Sequence, residues 1–166
     1  MAQRGEPWRV VDLGAERARR ARAHRRYTVL LRACVRDRDG ATFRQLGIGA
    51  EYHVRDLHET LVTCFGLSSV EAGMVWRFAA PTPEGEEPVA GSDEVAAHLF
   101  HSGDVLVYHW GLWTIDVESL GTFERSEGTA WARCVGGAGS IAGGGEPDLA
   151  AINARLDELP GRDRHP

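Results

Sequence analysis

The stretch VLVYHWGLWTIDVESL, residues 105–120, decides the fold that this sequence predicts. Two segments of alternating side chains meet at Gly111-Leu112. A two-residue loop with glycine first is typical of a type II′ hairpin turn, since glycine takes a positive φ there without strain. In the first segment Tyr108 and Trp110 fall on one face of a strand, and His109 falls on the other. The pattern therefore predicts a β-hairpin with aromatic residues gathered around its turn.

The predicted hairpin covers residues 104–120 and is expected to lie at the centre of a sheet, because its first arm is mostly apolar on both faces. Further strands are predicted at 27–35, 41–48 and 74–80, and helices at 54–67, 92–100 and 147–159. We therefore expect an α+β single domain, with a twisted antiparallel sheet of about five strands and helices packed on one side.

Three segments of the chain differ in composition. Residues 1–26 are expected to form a basic N-terminal arm or helix, residues 27–145 the α+β domain, and residues 146–166 a C-terminal helix with a disordered tail. Within the domain, the proline- and glutamate-rich stretch 81–91 is predicted to be a solvent loop. The glycine-rich stretch 136–145 is predicted to be a flexible connection, and without any lysine it cannot act as a phosphate-binding P-loop.

The N-terminal arm carries six arginines within ten positions. They are Arg17, Arg19, Arg20, Arg22, Arg25 and Arg26. Such a cluster could bind DNA, because each arginine–phosphate contact releases counterions. Arginine, however, supplies all 19 basic side chains of a chain whose net charge is −5. This composition favours a solvated alanine-rich helix, or an arm that binds an acidic patch of the same protein.

Composition and cysteine usage favour a cytoplasmic globular protein. The fractions of charged (26%) and hydrophobic (43%) residues are ordinary for that class. We find neither an apolar run of the ~20 residues that a membrane span needs nor the apolar region of a secretory signal. Cys34, Cys64 and Cys134 are widely spaced, which favours reduced thiols. Cys64 is expected in the core, whereas Cys134, close to two glycines, is expected to be partly exposed, where a reactive thiol could lie.

Metal binding has one weak set of candidates. Glu94, His98 and His101 stand at i, i+4 and i+7, a spacing that places two imidazoles and a carboxylate on one helix face. The usual H-E-x-x-H arrangement is missing. Histidines that face solvent beside a packed Leu99–Phe100 pair are therefore favoured, and neither a metal nor a cofactor is expected.

Four stretches follow the order and spacing of the plasmid pRiA4b ORF-3-like family, which the chain resembles over residues 27–145. They are YTVLLRACVRD, VRDLHETLVTCFGL, GDVLVYHWGLWTIDVESL and ARCVGGAGSIAGGG. The matching residues are Leu57, His58, Gly103, Asp104, Leu106, Tyr108, Gly111, Trp113, Cys134 and Gly137. Members of this family are also passenger genes of insertion elements, under a resolvase-like label. The resemblance therefore implies an association with mobile genetic elements.

The polar residues of the family pattern are mostly replaced in this chain. His109 and Leu112 stand where the family hairpin has acids, Ile115 stands where it has a histidine, and residues 140–142 replace an acidic run. A recombinase also needs a nucleophile and an arginine cluster that stabilises the phosphoryl transition state. The arginines outside the arm are scattered. The resemblance thus implies a scaffold or binding role, without recombinase activity.

The leading hypothesis is a non-enzymatic binding or accessory protein of mobile elements, with an unknown protein or peptide partner and no membrane association. Its binding surface is expected around Tyr108, His109, Trp110 and Trp113, rimmed by His58 or His101. Exposed aromatic residues on a rigid hairpin can anchor a peptide or ligand; the alternative is that the tryptophans fill the core. Two other hypotheses are a DNA-associated accessory factor that uses the arginine arm, and a vestigial metal-dependent enzyme built on His98, His101 and His109.

Overall fold

A computed structural model of the chain gives the positions of most of the residues between 27 and 159. The described residues are 27–36, 41–67, 75–89, 91–93, 96–100, 103–126, 128–141, 143 and 145–159. They form seven β-strands: β1 (Tyr27–Val35), β2 (Phe43–Gly49), β3 (Trp76–Thr82), β4 (Gly85–Pro88), β5 (Val105–Trp110), β6 (Trp113–Glu124) and β7 (Ala132–Ala138). The helices are α1 (Val54–Phe65), α2 (Leu149–Glu158) and a 3₁₀ helix (Ala96–Leu99).

All seven strands belong to one antiparallel sheet in the order β4-β3-β5-β6-β1-β2-β7. The antiparallel sheet with helices is confirmed, but the expected number of about five strands is wrong. The two missed strands lie at the two edges of the sheet. β4 has the sequence GEEP with every residue exposed, and β7 contains Gly136 and Gly137, so neither shows the apolar alternation by which strands are recognised.

The central hairpin is confirmed. β5 pairs with β6 through Trp110 and Trp113, which face each other directly across the two-residue turn. Gly111 has a φ of 54°, the left-handed conformation that the sequence predicted for a glycine at this position. The hairpin strands are third and fourth of the seven, so they lie within the sheet.

The core is built on one face of this sheet. Val35, Ile115, Tyr108 and Phe78 are successive cross-strand partners on β1, β6, β5 and β3, and all four are buried. The helix α1 adds buried side chains at one-turn spacing, including Leu57 and Leu61. α1 ends at Gly66, a left-handed C-cap with φ 63°, as the sequence predicted.

The helices meet the sheet on its β2 and β7 side. α1 contacts β2 and α2, and α2 contacts β7. α2 begins after Asp148, whose side chain accepts a hydrogen bond from the backbone N–H of Ala151 at 3.0 Å, an N-cap interaction. In the part of the chain that the structure describes, no helix has the length and apolarity needed to cross a membrane.

Candidate functional site

Three tryptophans form a row across neighbouring strands. Trp110 pairs with Trp76 of β3 on one side and with Trp113 of β6 on the other. Directly paired residues of antiparallel strands place their side chains on the same face. We call Trp76, Trp110 and Trp113 the tryptophan row. It runs two residues closer to the hairpin turn than the buried row that contains Tyr108, on the same face of the sheet.

Each side chain of the tryptophan row is half-buried. All three pack against the hydrophobic core without being enclosed by it. Beyond the row, at the tip of the hairpin, Leu112 is 98% exposed. The end of the sheet therefore offers a run of apolar surface held by paired strands. A tryptophan that becomes buried in an interface can contribute several kcal/mol to binding, so this surface is a candidate site for an apolar partner.

His58 of α1 closes one end of the tryptophan row. Its imidazole stacks on Trp76, with ring centroids 4.1 Å apart and an interplanar angle of 9°. Its Nδ1 atom lies 2.7 Å from the hydroxyl oxygen of Tyr108. The helix presents His58 at this place because the adjacent Leu57 is buried in the core. The result is a single aromatic assembly built from α1, β3 and β5.

The electrostatics of this assembly keep it neutral. Burial lowers the pKa of His58 to about 4, so its imidazole is uncharged near neutral pH. Burial also raises the pKa of Tyr108 well above the ordinary value of a phenol, so its hydroxyl stays protonated. General acid–base catalysis is most efficient when the pKa lies near the working pH. The pKa values of these two groups are therefore poorly matched to that task.

Phe78 continues the aromatic contacts beneath the row. It meets Trp76 edge-on, with centroids 6.2 Å apart and planes at 79°, and it lies 4.8 Å from the ring of Tyr108. Edge-to-face and tilted pairs are the favoured geometries of aromatic rings. These contacts fix Trp76 from below as His58 does from the side.

The opposite face of the hairpin carries a network of charged and polar side chains. Nε2 of His109 lies 2.6 Å from Oε2 of Glu86, and its Nδ1 lies 3.3 Å from Oγ1 of Thr114. Arg36 bridges Glu86 at 3.4 Å and Asp116 at 2.6 Å. The hydrogen bond from His109, followed by that from Arg36, lowers the pKa of Glu86.

Thr114, His109 and Glu86 follow one another in the order hydroxyl, imidazole and carboxylate that hydrolytic triads have. The resemblance to such a triad does not go beyond this order. Glu86 stands on an exposed strand and shares its carboxylate with His109, Arg36 and Arg77. In hydrolytic triads the carboxylate is buried and serves to orient the imidazole. Exposed ion pairs contribute little to stability. The network is therefore best understood as the solvated face of the sheet.

The structure divides the binding residues that the sequence predicted. It brings Trp110, Trp113 and His58 together on one side of the hairpin. Tyr108 lies beneath them, and none of its surface is exposed because its strand is covered on that face. It is therefore not a surface anchor and supports the site through its contact with His58. His109 points to the opposite face and shares no surface with the tryptophans.

Several predicted sites lie outside the described residues. These are the arginine arm with its residues Arg17, Arg19, Arg20, Arg22, Arg25 and Arg26, the residues Glu94 and His101, and the side chain of His98. Within the described ranges, no group of three or more histidine, cysteine or acidic side chains is arranged to hold a metal ion. His109, the third member of the hypothetical metal site, contacts Glu86 and Thr114.

Sequence reasoning missed Trp76 as a site residue. Trp76 is 34 positions before Trp110 in the chain, and only the pairing of β3 with β5 makes them neighbours. A signal was present in the stretch MVWRFAA, where alternation places Trp76 and Phe78 on one face of a predicted strand. The strand pairing that would have joined this face to the hairpin cannot be read from local periodicity.

The similarity of this chain to a known protein concerns its fold. No family model and no curated protein matches the chain. The crystal structure of MM3350, a protein of unknown function from Methanosarcina mazei Go1, is similar, with a TM-score of 0.58 and 16% sequence identity. The alignment covers 81% of this chain and 82% of that chain. The likeness therefore concerns the architecture of nearly the whole domain.

Proposed function

We propose that this chain is a non-enzymatic binding protein whose tryptophan row, with His58 beside it, holds an apolar or aromatic segment of a protein partner. The observation that carries the proposal is the register Trp76–Trp110–Trp113 on three neighbouring strands, with each side chain half-buried. Core tryptophans would be enclosed, and isolated surface tryptophans would lack this common support.

The physical advantage of the row is its rigidity. An interface side chain loses conformational freedom on binding, which reduces affinity. The side chains of Trp110 and Trp113 pack against the hydrophobic core, and Trp76 is held by His58 and Phe78. Much of that freedom is therefore already lost before a partner binds.

A binding role is favoured over catalysis by the protonation states at the site. The low pKa of His58 and the high pKa of Tyr108 leave a neutral pair joined by a hydrogen bond. The acids and the histidine of the pRiA4b ORF-3-like pattern are replaced by His109, Leu112 and Ile115. The apolar support is retained while the polar groups that would perform a reaction are replaced.

In this proposal both helices cover the face of the sheet that carries the tryptophan row. Two contacts support this arrangement. For α1, His58 reaches Trp76 and Tyr108 on that face. Arg44, two positions before the buried Leu46 and so on the same face of β2, donates to the carbonyl oxygen of Cys64 at the end of α1. The row would then lie at the margin of the covered face, open beyond His58.

A selection experiment tests the proposal. A displayed peptide library is selected in parallel against the purified chain and against the Trp113→Ala variant, with circular dichroism to verify that the variant is folded. We expect peptides that share apolar or aromatic residues to be enriched on the unaltered chain and lost on the variant. Enrichment of the same peptides on both proteins would reject the tryptophan row as the binding surface.

The biological setting remains a proposal that rests on the resemblance to the pRiA4b ORF-3-like family. We propose a cytoplasmic accessory role in mobile genetic elements, supported by the matched residues between 27 and 145.

A DNA-associated role is the second candidate, because six arginines lie within residues 17–26. Deletion of residues 1–26 should then abolish DNA binding together with its steep dependence on salt. Affinity that survives the deletion would reject this candidate.

A further inference from the structure

Two cysteines that are far apart in the sequence lie close together in the core. Cys64 is at the C-terminal end of α1, and Cys134 is on β7, where it pairs with Leu46 of β2, and the two thiols are close enough for each to shift the pKa of the other. Their exposed fractions are 1% and 2%. Cys64 is thus in the core as the sequence predicted, whereas the expected partial exposure of Cys134 is wrong, because α2 packs over β7. Both residues are free thiols.

A buried arginine lies against the pair. Arg44 of β2 is only 3% exposed, and its guanidinium donates to the carbonyl oxygens of Cys64 at 2.9 Å, Phe43 at 2.8 Å and Ala138 at 2.9 Å. It also lies over the ring of Phe65, 5.0 Å from the centroid. These carbonyl oxygens accept three hydrogen bonds from Nε and Nη1 of Arg44, but they carry no full negative charge.

No carboxylate within the described ranges forms an ion pair with Arg44; Glu146 acts on it only through longer-range attraction. Burying a charge without a counter-charge is costly. Among the groups that can become anionic, the thiols of Cys134 and Cys64 act on the Arg44 charge more strongly than Glu146 does. The core therefore holds a cation that a thiolate on either cysteine would help to neutralise.

We propose that Cys64 and Cys134 form a redox-active pair that small hydroperoxides oxidise to a disulfide, with Arg44 stabilising the attacking thiolate. This activity is independent of the binding role proposed for the tryptophan row. It uses residues from α1, β2 and β7, and an oxidant small enough to enter the core.

The reaction has two balanced steps. The Cys134 thiolate attacks the outer oxygen of the hydroperoxide, so that an S–O bond forms, the O–O bond breaks, and the departing alkoxide takes up a proton to leave as an alcohol. The thiol of Cys64 then loses its proton and attacks the sulfenic sulfur of Cys134. The S–S bond forms as the S–O bond breaks, and hydroxide leaves with that proton as water. Two thiols are oxidised by two electrons, and one hydroperoxide is reduced.

The protonation of the two thiols agrees with these roles. The hydrogen bond from Cys64, the charge of Arg44 and a backbone hydrogen bond at Gly136 together lower the pKa of Cys134 to about 7, against the effect of burial. The hydrogen bond to Cys134, aided by burial, raises the pKa of Cys64 well above its ordinary value. The thiolate is the reactive form of cysteine, so Cys134 attacks first and Cys64 resolves the sulfenic acid.

Cys34 provides an internal control. It is more exposed than the pair and alternates with the buried residues of β1, which places it on the other face of the sheet. Burial, its largest influence, raises the pKa of Cys34. An oxidant that merely attacked the most accessible thiol would choose Cys34. One that depends on the thiolate and its partner would choose the buried pair.

The test is to treat the purified chain with hydrogen peroxide and to map its cysteines by non-reducing peptide mass spectrometry. We expect a disulfide between Cys64 and Cys134, reversed by dithiothreitol, with Cys34 still a free thiol, and the same result for Cys34→Ser. We also expect a Cys64→Ser variant to accumulate a sulfenic acid on Cys134 that dimedone traps. Bulky oxidised glutathione should react far more slowly than peroxide, since both sulfurs are enclosed.

Two outcomes would overturn the proposal. One is preferential oxidation of Cys34, and the other is survival of the free thiols of Cys64 and Cys134 in excess peroxide. Mapping of the unaltered protein decides between the outcomes even if Cys64→Ser fails to fold.

Discussion

The side-chain amide of Asn153 on α2 hydrogen-bonds to both backbone groups of Cys134 on β7. Its Oδ1 accepts from the Cys134 N–H at 2.8 Å, and its Nδ2 donates to the Cys134 carbonyl oxygen at 3.0 Å. β7 is an edge strand of the sheet, and unpaired backbone groups at an edge can pair with another chain. The amide thus takes the place of a neighbouring strand at this position.

Replacing this asparagine should destabilise the fold. Asn153→Ala leaves two backbone groups of Cys134 without partners, which we expect to lower the free energy of unfolding by about 1–3 kcal/mol. Asp157→Ala on the same helix removes a partly exposed pair with Arg133 and should cost less than about 1 kcal/mol. Urea unfolding of both variants measures the difference. Equal losses would mean that the amide does not protect the strand edge.

The hairpin turn predicts a second stability difference. Gly111 has a φ of 54°, so Gly111→Ala should destabilise the chain by about 1–2 kcal/mol, the cost of a side chain in the left-handed region. Leu112→Ala at the neighbouring, almost fully exposed position should change stability by less than about 0.5 kcal/mol. Thermal unfolding compares the two variants. A Gly111→Ala protein as stable as Leu112→Ala would contradict the strained-turn explanation.

Burial of neutral His58 predicts a dependence of stability on pH. The pKa of His58 is lowered to about 4 in the folded chain, below the value of about 6.5 of an unfolded histidine. As the pH falls, the unfolded chain binds this proton first, so the stabilisation is complete above about pH 6.5 and is lost as the pH falls towards 4. Below that pH the loss from this residue levels off.

The size of this effect is roughly 1–3 kcal/mol, since the side chain is only half-buried and solvent screens part of the shift. Urea unfolding near neutral pH and near the lower end of the window measures it. The unaltered chain should lose more stability between the two conditions than His58→Asn, in which no imidazole titrates. Parallel losses in the two proteins would show that His58 is not the titrating group.

The pKa of Cys134 predicts how fast the buried thiol pair reacts at different pH. Because this pKa is lowered to about 7, the rate of peroxide oxidation should rise steeply across neutral pH and level off about one unit above it. The loss of free thiol, followed against time in buffers of increasing pH, gives the midpoint. A midpoint near that of an unperturbed thiol would show that Arg44 and Cys64 do not activate Cys134.

The elements that local pattern determines were predictable from the sequence. The alternation on both sides of Gly111-Leu112 gave the hairpin, the apolar spacing of Leu57 and Leu61 gave α1, and Gly66 gave its end. β4 and β7 were not predictable, because edge strands pair on one side only and carry exposed glutamates or glycines in place of an apolar face. Proline is tolerated at such an edge, which explains Pro88 in β4.

The candidate site was only partly predictable, for the same physical reason. The alternation of side chains along each strand predicts the face on which Trp110 and Trp113 lie. Trp76 joins them through the β3–β5 pairing, and His58 through the packing of α1. The meeting of Cys64 with Cys134, and the burial of Arg44 beside them, likewise depend on contacts between distant segments. Long-range pairing leaves no periodic trace in either partner alone.

The binding role of the tryptophan row is tested most directly by the affinity of a selected peptide for matched variants of one strand. Trp110→Ala removes the middle of the row, whereas His109→Ala alters the adjacent residue on the opposite face. Calorimetric titration should show the peptide binding about tenfold or more weakly to Trp110→Ala, a loss typical of a central interface tryptophan, and with unchanged affinity to His109→Ala. Unchanged affinity for Trp110→Ala, or a loss confined to His109→Ala, would contradict the account.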